Sequence, residues 1–205
     1  MLPMGKDWKE VLWRRRQRES RKTGKGHKGE WMERREKAID RFIDAQKETH
    51  ATAKREISIG RKKSHWMWYT FPQIIGLGYT EISKYYSIQN TEELRQFVRN
   101  KYLCKNLLEL FNILLMLEKT DAYDIFGEVD TEKFRSCLTL FNHTKRFHLI
   151  TSKLLDKYFL GFRDDKTDVI YEEMKHGSHR KKFIDSESKH YTTTKSTNKL
   201  QKRWT

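Results

Sequence analysis

The sequence predicts an all-α fold, a single compact bundle-like domain of several helices between two basic ends. Apolar residues recur every three or four positions through the centre of the chain, and no stretch alternates apolar and polar residues long enough for a strand. Residues 1–37 carry 13 Lys and Arg against 6 Asp and Glu, residues 175–205 carry 9 against 2, and residues 38–174 carry 21 against 20. We therefore predict a flexible basic arm over 1–37, a helical domain over 38–176 and a disordered basic tail over 177–205.

Four helices are expected in the first half of this domain, separated by glycine, proline and polar capping residues. The first follows an apolar stripe with a period near 3.6, and the second is a short aromatic helix. In chain order, these helices span 31–57, 65–71, 80–86 and 91–100. The residues expected to cap, begin or end them are Gly60, Ser64, Pro72, Thr80 or Glu81, and Asn90 or Thr91.

The strongest helical pattern lies in the second half, over 103–117. Five leucines there follow spacings of 4, 3, 4 and 3 residues, which is typical of a core helix. Four shorter helices are expected after it, each begun by a polar cap or ended by a glycine. They span 122–126, which Asp121 can cap, a segment that begins at Asp130 or Thr131, 148–159 and 166–175.

The composition also bears on location and partners. Cys104 and Cys137 lie in apolar helical patterns, as buried thiols do in a reducing compartment. The longest apolar run, Ile113–Leu117, is too short to cross a bilayer, and the first residues lack the apolar core of a secretory signal. We expect a cytoplasmic or nuclear protein with no membrane partner. The basic ends attract polyanions such as nucleic acid, but they would serve equally as solubilising segments or an import signal.

The most unusual stretch is Gly60–Gly78, GRKKSHWMWYTFPQIIGLG, with three cations, a histidine and four aromatics. Cations at the start of a helix favour anions, and flat rings can stack on a base. The candidate ligand-binding residues here are Arg61, Lys63, Ser64, Trp66, Trp68, Phe71, Gln73, Gly76 and Gly78. His65 is the candidate for catalytic proton transfer. The alternative is structural, with solvated cations, aromatics in the core and His65 bonded to the loop.

A second candidate stretch is DIFGEVDTEKFRSCLTLF, Asp124–Phe141. Its polar residues recur along one helical face and would form a wall opposite His65, able to bind phosphate or ribose. Asp130 and Lys133 are its candidate catalytic residues. Its candidate ligand-binding residues are Asp124, Gly127, Ser136 and Thr139. The alternative has Asp130 as a helix cap and the hydroxyl groups bonded to the backbone.

No metal-ligand spacing, dinucleotide-binding glycine motif or phosphate-binding Walker motif is present, so we expect neither a metal nor a cofactor.

These motifs occur in a recognisable order: RFIDAQ, GRKKSHWMWYTFPQIIGLG, DIFGEVDTEKFRSCLTLF and KYFLGFRDDKTDVI. Over residues 39–172 the chain resembles the domain-of-unknown-function family 1810, whose bacterial members are often labelled calpastatin. The resemblance implies a compact all-helical domain and no assigned reaction. The family's recurrent residues fall here on Lys63, Ser64, His65, Trp66, Trp68, Phe71, Pro72, Gln73, Gly76, Gly78, Phe126, Gly127, Asp130, Lys133, Ser136, Thr139 and Phe141.

Two classes of function fit the residues. The first is a pocket for a phosphorylated, nucleotide-like small molecule, with hydrolysis as an option. It expects five side chains to converge on one cavity: those of His65, Trp66, Gln73, Asp130 and Lys133. The second is a non-catalytic nucleic-acid-associated or protein-interaction module whose basic tails bind phosphates.

Overall fold

The computed structural model describes residues 38–177, and the arm and tail expected at the two ends lie outside this range. In the described residues the secondary structure is helical, apart from one isolated parallel bridge between Ile74 and Ile88. The all-α prediction is therefore confirmed. The nine helices in this range are α1 (Asp40–Ser58), α2 (Met67–Thr70), α3 (Glu81–Tyr85), α4 (Thr91–Arg99), α5 (Lys101–Met116), α6 (Ala122–Phe126), α7 (Glu128–Asn142), α8 (His148–Phe159) and α9 (165–177).

Polar side chains cap several of these helices, as the sequence predicted. Thr80, Asn90 and Asp121 each accept a backbone N–H from the first turn of the helix that follows. Asn100 does the same for α5, a cap that the sequence did not predict. These caps satisfy N–H groups that the helices leave unpaired, and they determine where α3 to α6 begin.

The first helix begins at Asp40 and the core helix at Lys101, rather than at 31 and 103. Two further predicted helix starts were wrong, and both concern the candidate site. Ser64 does not cap α2, because its hydroxyl donates to Glu56 and the helix begins at Met67 without a side-chain cap. Helix α7 begins at Glu128 rather than at Asp130 or Thr131. Gly127, with φ 74° and ψ 173°, closes α6 and opens α7 without an intervening loop. Asp130 therefore lies in the first turn of α7, where its carboxylate is available to other partners.

The core is centred on α5, which packs against α1, α4 and α8, while α7 packs against α6 and α8. Aromatic rings fill the space between these helices. Phe71 is fully buried and stacks on Phe111, with ring centroids 5.7 Å apart and planes within 4°. Its ring also makes edge contacts with Phe126 and Phe134. The chain that follows α2 is thus anchored in the core by one side chain.

Two further sequence predictions concern the cysteines and membrane-spanning helices. Both cysteines are buried free thiols, and burial raises the pKa of each. Among the described helices, none combines the length and the apolar content that crossing a bilayer requires.

Replacing Phe71 by alanine should destabilise the protein by about 3–5 kcal/mol, because it removes a fully buried ring and leaves a cavity. Urea unfolding followed by far-ultraviolet circular dichroism measures this loss. The matched control is Tyr79→Ala, since Tyr79 is 88% exposed and its loss should change the unfolding free energy by less than about 0.5 kcal/mol. Equal stability of the two variants would contradict the position of Phe71 in the core.

Candidate functional site

A buried carboxylate organises the segment that connects α1 to α2. Glu56, in the last turn of α1, is 6% exposed. It accepts backbone N–H groups from Lys63 at 2.8 Å and Ser64 at 3.0 Å, the Ser64 hydroxyl at 2.5 Å and the Trp66 indole N–H at 2.8 Å. Burial alone would raise the pKa of Glu56, but these four hydrogen bonds outweigh it and lower the pKa below its ordinary value. The charged carboxylate thus holds the segment folded back over the end of α1.

The same segment is fastened to α6 and to the residues that precede it. The backbone N–H of Lys62 donates to the carbonyl of Ile125 at 2.7 Å, and the Lys119 ammonium donates to the carbonyl of Gly60 at 3.0 Å. Gly60 has φ 65°, a left-handed conformation that favours glycine. These contacts bring Lys62 to the N-terminal end of α7.

At this junction the two stretches that the sequence singled out meet in an ion-pair cluster. The Lys62 ammonium lies 2.5 Å from Asp130 Oδ2, and the Lys133 ammonium lies 2.6 Å from Asp130 Oδ1. The three side chains are 9%, 19% and 16% exposed for Lys62, Lys133 and Asp130. Burial would raise the pKa of Asp130, but the bonds to Lys133 and Lys62 outweigh it and lower the pKa. We call these residues the lysine–aspartate cluster.

Two tryptophans flank this cluster. The Lys62 ammonium lies 5.1 Å from the ring centroid of Trp66, and the Lys133 ammonium lies 4.9 Å from that of Trp68. Trp66 is almost fully buried, whereas Trp68 is half-buried and borders solvent. Each ammonium has three N–H donors and spends one on Asp130. The cluster therefore combines unused cationic donors with the faces of two aromatic rings.

The other candidates from Gly60–Gly78 lie in different environments. Arg61, Lys63 and His65 are exposed and lie in the same segment of the chain as Lys62. The carbonyl of His65 accepts the Tyr69 hydroxyl at 3.2 Å. Gln73 is half-buried, and its carbonyl accepts the backbone N–H of Ile88 at 2.8 Å. The prediction that five side chains converge on one cavity is therefore wrong. The structure joins Asp130 to Lys133, buries Trp66 under Lys62 and leaves His65 facing solvent.

The hydroxyl groups of the second stretch bind the start of α9. Ser136 donates to Asp164 Oδ2 at 2.6 Å, and the Thr139 hydroxyl accepts the backbone N–H of Asp164 at 2.9 Å. Both residues are buried. Asp124 is exposed, and Gly127 borders open space, since a Cβ there would have no neighbour within 4 Å. Among the candidate site residues of this stretch, Asp130 and Lys133 are the two whose side chains meet the Gly60–Gly78 segment.

The two candidate glycines further along the chain belong to another part of the surface. Gly78 packs tightly, because a Cβ there would lie 2.4 Å from the Ser83 hydroxyl oxygen. Gly76 lines a cavity of about 310 Å³ between its loop and α9. The other residues that line this cavity are Leu77, Tyr79, Asp165, Lys166, Val169 and Ile170. No residue of the lysine–aspartate cluster lines it.

A second polar cluster joins α7 to α9, and the sequence did not predict it. His143 Nε2 lies 2.7 Å from Asp168 Oδ1, and Arg163 donates to both oxygens of the same carboxylate. The His143 ring stacks on Tyr171, with centroids 3.8 Å apart. Burial lowers the pKa of His143, although the hydrogen bond to Asp168 opposes this. These contacts fasten α9 to the end of α7.

Within residues 38–177, no group of three His, Cys, Asp or Glu side chains is arranged to hold a metal ion.

Sequence reasoning also missed Glu56 and Lys62. Glu56 lies three residues after Ala53 and one before Ile57, on the buried stripe of α1. A carboxylate on such a stripe needs partners, so its position was a usable signal. Lys62 stands between two other cations, and the sequence does not distinguish which of the three faces inward.

Comparison with known proteins yields a family and one solved structure. The sequence matches the family described as "Protein of unknown function (DUF1810)" over residues 36–171. Its fold is similar to the crystal structure of the conserved hypothetical protein Rv1873 from Mycobacterium tuberculosis. The two share 30% sequence identity with a TM-score of 0.63, over 65% of this chain and 96% of that chain. No curated protein matches the sequence. The family predicted from the motifs is confirmed.

Replacing Glu56 by glutamine should destabilise the protein by about 3 kcal/mol at neutral pH, since the amide group of glutamine cannot accept all four donors. The lowered pKa of Glu56 means that its stabilisation is complete above the ordinary value of 4.5 and is lost as the pH falls below it. The difference in unfolding free energy between wild type and variant should therefore shrink on acidification. Urea unfolding at pH 7 and at decreasing pH measures it.

The matched control for this prediction is Glu118→Gln, because Glu118 is exposed and its substitution should leave stability nearly unchanged at every pH. A Glu56→Gln variant as stable as wild type at pH 7 would contradict the role given to this carboxylate.

Proposed function

The chain belongs to the DUF1810 family, and we propose that it binds a small phosphate-bearing, nucleotide-like molecule at the lysine–aspartate cluster. The observation that carries this proposal is the convergence of Lys62 and Lys133 on separate oxygens of one carboxylate, that of Asp130. A phosphate group presents the same arrangement, with adjacent anionic oxygens that can each accept from one ammonium.

Electrostatics supports an anionic ligand. Two ammoniums face one carboxylate, so the cluster carries a net positive charge, and Arg61 and Lys63 add two exposed cations in the same segment. The cluster is largely shielded from water, with side chains no more than 19% exposed. Screening by salt and solvent is weaker there than on an open surface, which strengthens the attraction for a bound phosphate.

The aromatic neighbour of the cluster supports a ligand that also carries a ring. Trp68 is half-buried beside Lys133, and an indole at the edge of a cationic site is a natural surface for a base. His65, with its exposed side chain in the preceding residues, is the proposed general base if the bound molecule is hydrolysed. Release of inorganic phosphate or of a nucleoside product during incubation with the protein tests that additional step.

Lys133→Met should weaken binding of a phosphate-bearing ligand at least tenfold, because a charge-assisted hydrogen bond contributes about 1.5–3 kcal/mol. Thermal shift of the full chain with AMP, ADP, NAD and inorganic phosphate provides the measurement. A ligand at about a hundred times its dissociation constant stabilises the protein by about 2.7 kcal/mol. Lys105→Met, which removes an exposed lysine from α5, is the matched control and should bind like wild type.

Two results would contradict the proposal. One is the absence of stabilisation of the wild-type protein by every member of this panel at millimolar concentration. The other is binding that Lys133→Met and Lys105→Met leave equally unchanged.

A second candidate function is association with nucleic acid through the basic ends, and the charge distribution favours it. Residues 1–37 and 175–205 hold 22 of the 43 Lys and Arg of the chain but only 8 of its 28 Asp and Glu. Counterion release makes such binding strongly salt-dependent.

Replacing Arg14, Arg15, Arg16 and Arg18 by glutamine in the full chain should reduce the slope of log K against log salt for double-stranded DNA. If all four arginines contact phosphates, the reduction is about 3.6, at about 0.9 per contact. Fluorescence anisotropy with labelled DNA across a salt series measures it. An unchanged slope would contradict a role for this arginine block in binding.

A further inference from the structure

We propose that the Asp130 carboxylate competes with the ligand phosphate for the ammoniums of Lys62 and Lys133. In this way Asp130 limits the affinity of the site for anions. This inference rests on the proposed function, since it concerns the regulation of the same site. In the structure, each of the two ammoniums pairs with one oxygen of the Asp130 carboxylate, so the donors it uses are not available to a phosphate.

The cluster is built so that a ligand can compete with this carboxylate. Asp130 has a short side chain in the first turn of α7, and the helix restricts where its oxygens can lie. Each lysine carries three donors at the end of a four-carbon stem, so each ammonium can turn a donor that Asp130 does not use toward a phosphate placed on the solvent side. The ammoniums of Lys62 and Lys133 can therefore reorient toward a ligand, whereas the Asp130 carboxylate stays in place.

Movement of Lys133 has a second consequence, because its ammonium lies over Trp68. The 4.9 Å separation between that ammonium and the ring centroid means that Lys133 covers one face of the indole. When Lys133 turns toward a bound phosphate, this face becomes available to a ring on the ligand. A ligand that combines a phosphate with a base therefore gains both contacts, whereas free phosphate gains only the first.

The charge of Asp130 should affect the selectivity of the site between doubly and singly charged anions. Its charge repels each negative charge of a bound ligand, and low exposure of the cluster reduces screening of this repulsion. Removing the charge should strengthen binding of a dianion more than binding of a monoanion. AMP and cyclic AMP carry the same base, but near pH 7.5 AMP is mainly a dianion and cyclic AMP is a monoanion. The pair is therefore a suitable set of probes.

The test is isothermal titration of the full chain with AMP and with cyclic AMP. Asp130→Asn should bind AMP about tenfold tighter than wild type, with a smaller gain for cyclic AMP. Glu128→Gln removes the same charge from an exposed position in the same helical turn, and its affinities should change less than twofold. Equal or weaker AMP binding by a folded Asp130→Asn variant would overturn the inference and leave the proposed function standing. A failure of the wild type and of every variant to bind either probe would instead overturn the proposed function, and the inference with it.

A second pair of variants covers the case in which Asp130→Asn does not fold, since it leaves two half-buried lysines with a neutral partner. Lys62→Met keeps the Lys133–Asp130 pair, and Lys62→Met combined with Asp130→Leu replaces one ion pair by apolar groups, a change that buried sites often tolerate. The double variant should bind AMP tighter than Lys62→Met, because its Lys133 no longer faces a competing carboxylate. Weaker or equal binding by the double variant would overturn the inference.

Discussion

The hydrogen bonds that Glu56 accepts are the interaction on which the candidate site depends. One buried carboxylate binds two backbone N–H groups, a hydroxyl and an indole N–H from the segment between α1 and α2. The indole belongs to Trp66, whose ring lies beside the Lys62 ammonium. Lys62 in turn binds Asp130, which binds Lys133, which lies over Trp68. A continuous series of polar and cation–aromatic contacts thus connects the buried end of α1 to the solvent-facing ring of Trp68.

The surrounding fold makes this series rigid at one end and adjustable at the other. Phe71 anchors the chain after α2 in the aromatic core, and Gly127 joins α6 directly to α7, so the backbone on both sides of the cluster is fixed. The lysine side chains are the flexible members. A site of this kind keeps its charges in place without a ligand and can still redirect its donors toward one. The second polar cluster, around Asp168, fastens α9 to α7 with a similar arrangement of a carboxylate between basic side chains.

Local sequence signals predicted most of the fold, and tertiary contacts account for what they missed. Helix α8 has the predicted bounds, His148–Phe159, and the caps Thr80, Asn90 and Asp121 were read correctly, because apolar period and capping are local properties. The predicted start of α7 was wrong because Gly127 both ends α6 and begins α7. The two stretches that meet at the cluster were also recognised. Lys62 and Glu56 were not, because the pairing of a buried carboxylate with a segment up to ten residues later depends on how the chain folds back.

Ligand binding at the lysine–aspartate cluster is the function proposed for this protein. Titration of isotopically labelled full-length protein with AMP, followed by nuclear magnetic resonance, tests it most directly. The indole N–H resonance of Trp68, assigned with a Trp68→Phe variant, should shift saturably with the ligand, and this shift should vanish in Lys133→Met. Saturable shifts confined to the Gly76–Tyr79 loop and α9, with the Trp68 resonance unmoved, would contradict the claim and move the site to the cavity beside Gly76.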